Sequence, residues 1–391
     1  MKEIKIILPL VLFLLIIQYS CKQAEDRSQA DFESIRINPK DINPEKYFSI
    51  SKISNKVEYI PIETRNDVVF GEITQIEFRK GRYYILDKIG KSIYIFNGEG
   101  KFLSKIRNIG KGPGEYLSIS SFAVDKSQVY IHDDRKQIIL VYDSLGKFLY
   151  EDKTTLIFND FYFINKEHSY IYLGTFDNSN RIKTNSSNLN RLIFRKNAKI
   201  VKMQLPFKYD EKLRQYPEMT NHFSSFQDTI SFIDGLDNFV YRINEEGNIS
   251  KRFFVDFGEY YFPIEDRMKY NGKRSSLDFC KMTKFIETPT IILINYSHKN
   301  RIYSFIYSKK SKNSLNTVTS WLNDLKYIPI SSASNLSVQD SSLLGYVDAK
   351  AFKNVFNQHN TLPSLLNLKE MNERILDSDN PILVKISIKD F

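Results

Sequence analysis

Residues 82–103 read RYYILDKIGKSIYIFNGEGKFL, and residues 128–149 read QVYIHDDRKQIILVYDSLGKFL. A third copy, residues 229–250, reads TISFIDGLDNFVYRINEEGNIS. In each copy an aspartate precedes a glycine by thirteen residues, and the aligned positions are Asp87, Asp133 and Asp234, followed by Gly100, Gly146 and Gly247. A repeat of this kind predicts a modular fold in which copies of one structural unit stack on each other.

Each copy contains two apolar runs of near-alternating polarity, separated by a short polar turn and followed by a glycine-containing turn. This pattern predicts an antiparallel meander. A further apolar run precedes each copy, at residues 73–78, 119–125 and 222–227. Each unit therefore has four predicted strands, which is the composition of one blade of a β-propeller.

Weaker copies occupy residues 161–207 and 284–308. The last unit is irregular, with an apolar run at 343–347, a predicted amphipathic helix at 364–376 and a closing strand at 382–388. Together these give six units. The sequence predicts an all-β fold, a six-bladed β-propeller of four-stranded antiparallel blades.

The run VEYIPI at residues 57–62 is a predicted strand without a unit of its own. We expect it to join the strands of the last unit, so that the N- and C-terminal strands build one blade and close the ring without free edges. The propeller domain is accordingly predicted to span residues 57–391.

The first twenty residues have the parts of a secretory signal, a short cationic start followed by an apolar run from Ile6 to Ile17. This run is too short to span a bilayer. Cys21 directly follows Ser20, so we predict a lipoprotein signal at 1–20 with Cys21 as the lipidated residue. Gln18 departs from the leucine usual at that position, which leaves cleavage by ordinary signal peptidase open. Residues 21–56 are polar and are predicted to be a tether.

The net charge of +10 favours acidic partners, but lysines and arginines are scattered among acids as on a solvated surface. We expect no nucleic-acid partner for an exported chain. If Cys21 carries lipid, Cys280 has no disulfide partner, and we predict that it is a buried apolar residue.

The segments VEYIPIET, FGEITQIEF, GKGPGEYLSISSFAVD and ILVYDSLGKF resemble the six-bladed β-propeller lipoproteins of Bacteroides-type bacteria, which are similar to NHL-repeat propellers. The resemblance is close over residues 57–150 and looser beyond. It implies export and a lipid anchor in the cell envelope, with the outer membrane as the expected location. It implies no assigned catalytic activity.

In such a blade the turns after the second and fourth strands lie on one face, where propellers commonly bind ligands. We predict ligand-binding residues there, in the connector between the first two blades and in the turns. They are Gly112, Gly114, Glu115, Tyr116, Asp133, Asp134, Arg135, Asp234, His298 and Arg301.

Two of these predictions have alternatives. The glycines of residues 110–116 serve either as a structural connector, which we favour, or as an anion-binding nest. His132, Asp133 and Asp134 suggest a metal site, but the alignment of Asp133 with Asp87 favours a carboxylate that caps its own turn. We therefore predict no metal and no cofactor.

The sequence contains no G-x-S-x-G elbow, H-E-x-x-H helix or zinc-spaced cysteine cluster. We favour a non-enzymatic binding or scaffold lipoprotein for a peptide, protein or glycan. The alternative is a hydrolase or lyase acting on a glycan or peptide, and it requires Glu115, Asp133, Asp134 and His298 to converge.

Overall fold

The computed structural model describes residues 32–125, 127–182, 189–207, 221–261, 278–331, 336–359 and 363–391. Three strands come first, and most of the remaining strands form four-stranded antiparallel meanders that follow one another along the chain. β1 (Glu33–Arg36), β2 (Phe48–Ser49) and β3 (Ser54–Pro61) come first. Sheet 1 contains β4 (Ile73–Arg79), β5 (Arg82–Asp87), β6 (Ser92–Asn97) and β7 (Phe102–Ile106). Sheet 2 contains β8 (Ser121–Val124), β9 (Gln128–Asp133), β10 (Ile138–Asp143) and β11 (Phe148–Asp152).

The second half of the chain continues the pattern. Sheet 3 contains β12 (Asp160–Phe163), β13 (His168–Tyr172), β14 (Leu189–Lys196) and β15 (Lys199–Phe207). Sheet 4 contains β16 (Phe223–Phe226), β17 (Thr229–Ile233), β18 (Phe239–Ile243) and β19 (Ile249–Asp256). Sheet 5 contains β20 (Lys281–Glu287), β21 (Ile291–His298), β22 (Arg301–Ser308) and β23 (Ser314–Val318).

A hairpin of β24 (Trp321–Asn323) and β25 (Ile328–Ile330) follows, and β2 adds to it in parallel. Sheet 6 contains β26 (Ser337–Gln339), β27 (Ser342–Val347) and β28 (Ile382–Ile388), and β3 is its fourth strand. Val57 pairs with Ile386 in the antiparallel register of β3 and β28. The predicted pairing of residues 57–62 with the C-terminal strand is confirmed.

The described residues contain two α-helices, α1 (Ala349–His359) and α2 (Lys369–Arg374), and both lie between β27 and β28. The 3-10 turn Pro363–Leu368 lies between the two helices, and further 3-10 turns occur earlier in the chain at Pro39–Asp41, Ile50–Lys52 and Gly258–Tyr260. The helix predicted at 364–376 is therefore a 3-10 turn followed by the short α2. The longer α1 was not predicted, although Phe352 and Phe356 on it are buried against sheet 6.

The sheets are buried on both faces, because alternate residues of one strand enter different hydrophobic clusters. In β5, Tyr84 and Leu86 pack with residues of sheet 2, whereas Tyr83 and Ile85 pack with Leu383 of sheet 6. Among the described residues, such clusters join sheets 1 and 2, 2 and 3, 3 and 4, 4 and 5, 5 and 6, and 6 and 1. The sheets are thus arranged side by side in the manner of propeller blades.

The tether predicted at 21–56 needs correction, because its second half belongs to the fold. β1 pairs in parallel with β19, with Ile35 opposite Val255. Ile35, Phe48 and Ile53 are buried in the clusters of sheets 4 to 6. Ile35 lies in β1 and Phe48 in β2, strands that are too short to show a periodic pattern, and Ile53 follows the 3-10 turn Ile50–Lys52. The signal at 1–20 and Cys21 lie outside the described residues.

Candidate ligand-binding channel

The antiparallel order of the strands gives the molecule two faces. We call the side with the turns between second and third strands, such as 88–91 and 134–137, the connector face. The opposite side, with the turns between first and second strands such as 80–81 and 340–341, is the funnel face. All ligand-binding residues predicted from the sequence belong to the connector face.

The repeated aspartates are structural. Asp133 is fully buried, and its Oδ1 accepts hydrogen bonds from the backbone N–H groups of Arg135 at 3.0 Å and Lys136 at 3.1 Å. Its Oδ2 accepts from the N–H of Leu117 at 2.7 Å. Asp87 likewise accepts from the N–H groups of Gly71, Glu72 and Gly90. The prediction that Asp133 caps its own turn is confirmed.

The loop of residues 110–116 is braced by contacts within the protein. The Glu115 carboxylate accepts from the Gly112 N–H at 2.8 Å, and Gly114 donates to Glu151 Oε1 at 3.1 Å. The hydroxyl of the buried Tyr116 donates to the carbonyls of Lys91 and Ile106. These contacts favour the connector interpretation, since the groups that would bind an anion already have partners.

Asp234 is the third repeated aspartate, and it also has protein partners. Tyr172 donates its hydroxyl to Asp234 Oδ1 at 2.8 Å, and Arg191 forms an ion pair with Oδ2. The side chain is fully buried. Its role is to join sheet 4 to sheet 3.

The acid–base group required by the hydrolase interpretation is dispersed. Glu115, Asp133 and Asp134 lie at sheet 2, whereas His298 ends β21 in sheet 5, three sheets further along the chain. His298 is buried at the edge of the Tyr260 ring, and this burial lowers its pKa. Asp134, Arg135 and Arg301 are exposed. The described geometry brings no such constellation together.

Two other sequence predictions concern buried groups. Cys280 is buried, and burial raises the pKa of its thiol to about 12, so the predicted inert, apolar role agrees with its surroundings. His132 stacks on Phe158 with ring centroids 3.7 Å apart, and burial lowers its pKa to about 4. It is a neutral core histidine.

A channel cavity of about 100 Å³ lies where the first strands of all six sheets meet. Polar and charged side chains of these strands line it, including Gln75, Glu77, Asp160, Ser224, Lys284 and Ser337. This site is lined by first strands, each of which is hydrogen-bonded to the second strand of its sheet. Its geometry is therefore rigid compared with that of the outer turns.

Glu77 interacts with one cation of its own strand and with one cation of sheet 5. Glu77 faces Arg79 at 3.5 Å, and its charge also acts on Lys284. Burial lowers the pKa of Lys284 to about 8, against the opposing effect of Glu77. Burial raises the pKa of Asp160 to about 6, although the backbone N–H groups of His222 and Phe161 favour its carboxylate form.

Arg79 crosses from sheet 1 to sheet 4. Its Nη2 donates to Ser225 Oγ at 3.2 Å, and its Nη1 donates to the Phe78 carbonyl at 2.9 Å. Sheets 1 and 4 are three positions apart among six, so this contact spans the channel. Arg79 and Ser225 line both the channel cavity and a larger cavity beneath it.

The larger cavity, which we call the funnel, has a volume of about 1130 Å³ and is lined by the turns between first and second strands. This volume is in the range of ligand-binding clefts or slightly above it. The aromatic rings of Phe78, Tyr162 and Phe226 line it. Its charged lining residues are Arg79, Lys80, Lys166, Asp125, Asp228, Glu245, Glu246 and Asp340.

Sequence reasoning missed this site because it assigned binding to the other face. A signal was present: polar pairs such as Lys80–Gly81, Gln227–Asp228 and Asp340–Ser341 recur between the first and second predicted strands. Turn residues of this kind are usually explained by turn formation alone. Their convergence around the funnel is a property of the assembled sheets, not of any one unit.

Two further findings concern the part of the chain that the structure describes. Its His, Cys, Asp and Glu side chains do not gather into groups of three or more that would hold a metal ion. None of its helices is long and apolar enough to cross a membrane.

The fold and the channel define a propeller-like, mostly-β protein with a central cavity. The chain belongs to the family of domains of unknown function DUF4934, whose model matches residues 32–387.

Solved structures that are similar to this chain include two from Bacteroides species. A Bacteroides fragilis protein whose name describes it as exported has a TM-score of 0.68 at 17% identity, covering 92% of this chain and 100% of that one. A Bacteroides vulgatus member of the DUF4221 family has a TM-score of 0.47 at 7% identity, covering 86% and 98%. No curated protein matches the sequence. These likenesses concern the fold.

Proposed function

We propose that this chain is an exported, lipid-anchored protein of the cell envelope whose six sheets are the blades of a closed β-propeller. Closure is supported by the hydrophobic clusters, which run from sheet 1 to sheet 6 and back to sheet 1. The pairing of β3 with β28 supports it too. Export is supported by the name of the B. fragilis structure and by the signal-like residues 1–20.

We propose further that the propeller is a non-enzymatic binding module for a peptide, protein segment or glycan. The observation that carries this function is the funnel of about 1130 Å³, which continues into a charged channel lined by all six sheets. Aromatic surfaces surrounded by polar groups are typical of binding clefts. A hydrolase is less well supported, because Glu115 and His298 lie at sheets 2 and 5.

The binding function is tested with the chain from residue 22 onward on peptide and glycan arrays. Ser341 lies on the exposed rim of the funnel, so Ser341→Trp should obstruct it and abolish capture. Arg135→Trp, on the connector face, is the matched control and should leave capture unchanged. Capture that survives Ser341→Trp but not Arg135→Trp would place the binding site on the connector face.

The anchor is tested separately in cells that express the full precursor. Labelled palmitate should enter the protein and should be lost in Cys21→Ala. Fractionation of the membranes should place the labelled protein in the outer membrane. Label retained in Cys21→Ala would show that the lipid is attached to another residue, and an unlabelled processed protein would show that ordinary signal peptidase cleaves the chain.

A further inference from the structure

The partly exposed side chain of Arg79 forms the floor of the funnel. The Arg79 side chain is 31% exposed and sits at the end of β4, where the funnel meets the channel. A guanidinium carries five N–H donors. Its described contacts are those with Phe78, Ser225 and Glu77, and these do not use all five donors.

The floor carries an excess of positive charge. Glu77 lies 3.5 Å from Arg79, and its charge also acts on Lys284, so one carboxylate interacts with two cations. Asp160 begins β12 and therefore lies towards the other end of the channel, where its two oxygens accept backbone N–H groups. An anionic group that reaches the floor would meet a fork of donors matched to a carboxylate.

The rim has the opposite charge. Asp228, Glu245 and Glu246 are exposed on the turns of sheet 4, and Asp340 is exposed on sheet 6. Against the lining cations Arg79, Lys80 and Lys166 there are five lining carboxylates, so the funnel is acidic in a chain of net charge +10. The fifth lining carboxylate, Asp125, accepts hydrogen bonds from the backbone N–H groups of Ser127 and Gln128 and from the Tyr130 hydroxyl.

We propose that the funnel binds the free C-terminus of a basic polypeptide segment, with Arg79 as the residue that recognises the terminal carboxylate. This inference rests on the proposed binding function. A ligand that is anionic at its tip and cationic along its body matches a cationic floor beneath an acidic rim. Acidic glycans carry negative charge along their length and would be repelled by the rim, whereas neutral glycans have no group for the floor.

The test compares two ligands on the chain from residue 22 onward. Octapeptides with two or three lysines are titrated by calorimetry as free acids and as C-terminal amides. The free acid should bind at least tenfold more tightly than the amide, since the amide removes the charge that Arg79 recognises. In Arg79→Gln the two forms should bind with equal affinity. Arg374→Gln, at an exposed arginine of α2 that also pairs with a glutamate, is the matched control and should keep the difference.

The ratio of free-acid affinity to amide affinity is measured first on the unaltered protein. It therefore tests recognition of the terminal carboxylate even if Arg79→Gln fails to fold. Equal affinities in the unaltered protein, or a ratio preserved in Arg79→Gln, would overturn the proposal. Capture of a glycan alone at the funnel would overturn it and leave the binding function standing. Capture of neither class would overturn both.

Discussion

Arg191 Nε lies 2.5 Å from Asp234 Oδ2, and this ion pair joins β14 of sheet 3 to the turn after β17 of sheet 4. Only 8% of the arginine side chain and none of the aspartate side chain is exposed. Asp237 lies 3.7 Å from the same guanidinium, and Tyr172 donates to Asp234. Two sheets are therefore joined by a buried polar network.

Arg191→Met should destabilise the protein strongly. Removing one partner of a buried ion pair leaves the other charge without compensation, at a cost of about 3 to 5 kcal/mol. The free energy of unfolding is measured by urea denaturation. Arg374 pairs with Glu370 on an exposed helix, so Arg374→Met is the control and should change stability by less than about 0.5 kcal/mol. Equal effects of the two substitutions would mean that the buried network contributes nothing.

Asp237→Asn should make the protein less sensitive to pH. Burial, together with the charge of Asp234, raises the pKa of Asp237 to about 7, against the effects of Tyr241 and Arg191. A carboxyl with a raised pKa stabilises the fold when it is protonated. Its contribution is complete below pH 4 and is lost as the pH rises to about 7.

The asparagine keeps one acceptor oxygen for the Phe239 N–H, and its amide N–H donates to the Tyr241 hydroxyl oxygen in place of the bond that Asp237 Oδ2 accepts. The variant should match the unaltered protein near pH 4 and exceed its stability by about 2 to 4 kcal/mol at pH 8. Unfolding is followed by urea titration at each pH. Asp340→Asn, at a carboxylate that is 69% exposed, is the control. An unchanged difference between the two proteins from pH 4 to 8 would assign the titration to another group.

The repeat in the sequence accounts for much of the fold and little of the site. Asp87 and Asp133 recur because each caps a turn, and local structure of this kind is repeated in every unit. Arg191 lies in a weaker unit that lacks the Asp–Gly pattern, and its partner Asp234 belongs to the next sheet. Pairings between units depend on how the units stack, so the sequence of one unit does not predict them.

Gly114→Ala should cost more than Gly81→Ala, although both glycines have a positive φ. At Gly114, with φ of +70°, a Cβ would lie 2.7 Å from Cγ of Phe148. At Gly81, with φ of +73°, nothing lies within 4 Å. Backbone strain alone costs about 1 to 2 kcal/mol, and overpacking at Gly114 should add about 1 to 3 kcal/mol. Urea midpoints of the two variants give the difference, and similar midpoints would show that the Phe148 ring moves aside.

The N-terminal segment before residue 57 should be necessary for folding. Phe48 packs on Trp321 with ring centroids 5.1 Å apart, and Phe48, Ile50 and Ile53 are at most 1% exposed. Burial of each such side chain stabilises the fold by about 1.5 to 3 kcal/mol. Their joint loss is comparable with the total stability of an ordinary domain, about 5 to 15 kcal/mol.

A chain of residues 57–391 should therefore lose its near-ultraviolet circular dichroism and its cooperative unfolding. A chain of residues 32–391 should unfold like the chain from residue 22 onward. A single-residue comparison separates packing from chain length. Phe48→Ala should lower the free energy of unfolding by about 3 to 5 kcal/mol. Tyr47 is 38% exposed, so Tyr47→Ala should lower it little. A stable, cooperative 57–391 chain would show that β1 and β2 are accessories to a complete fold, because the clusters of sheets 4 to 6 would then be sufficient without them.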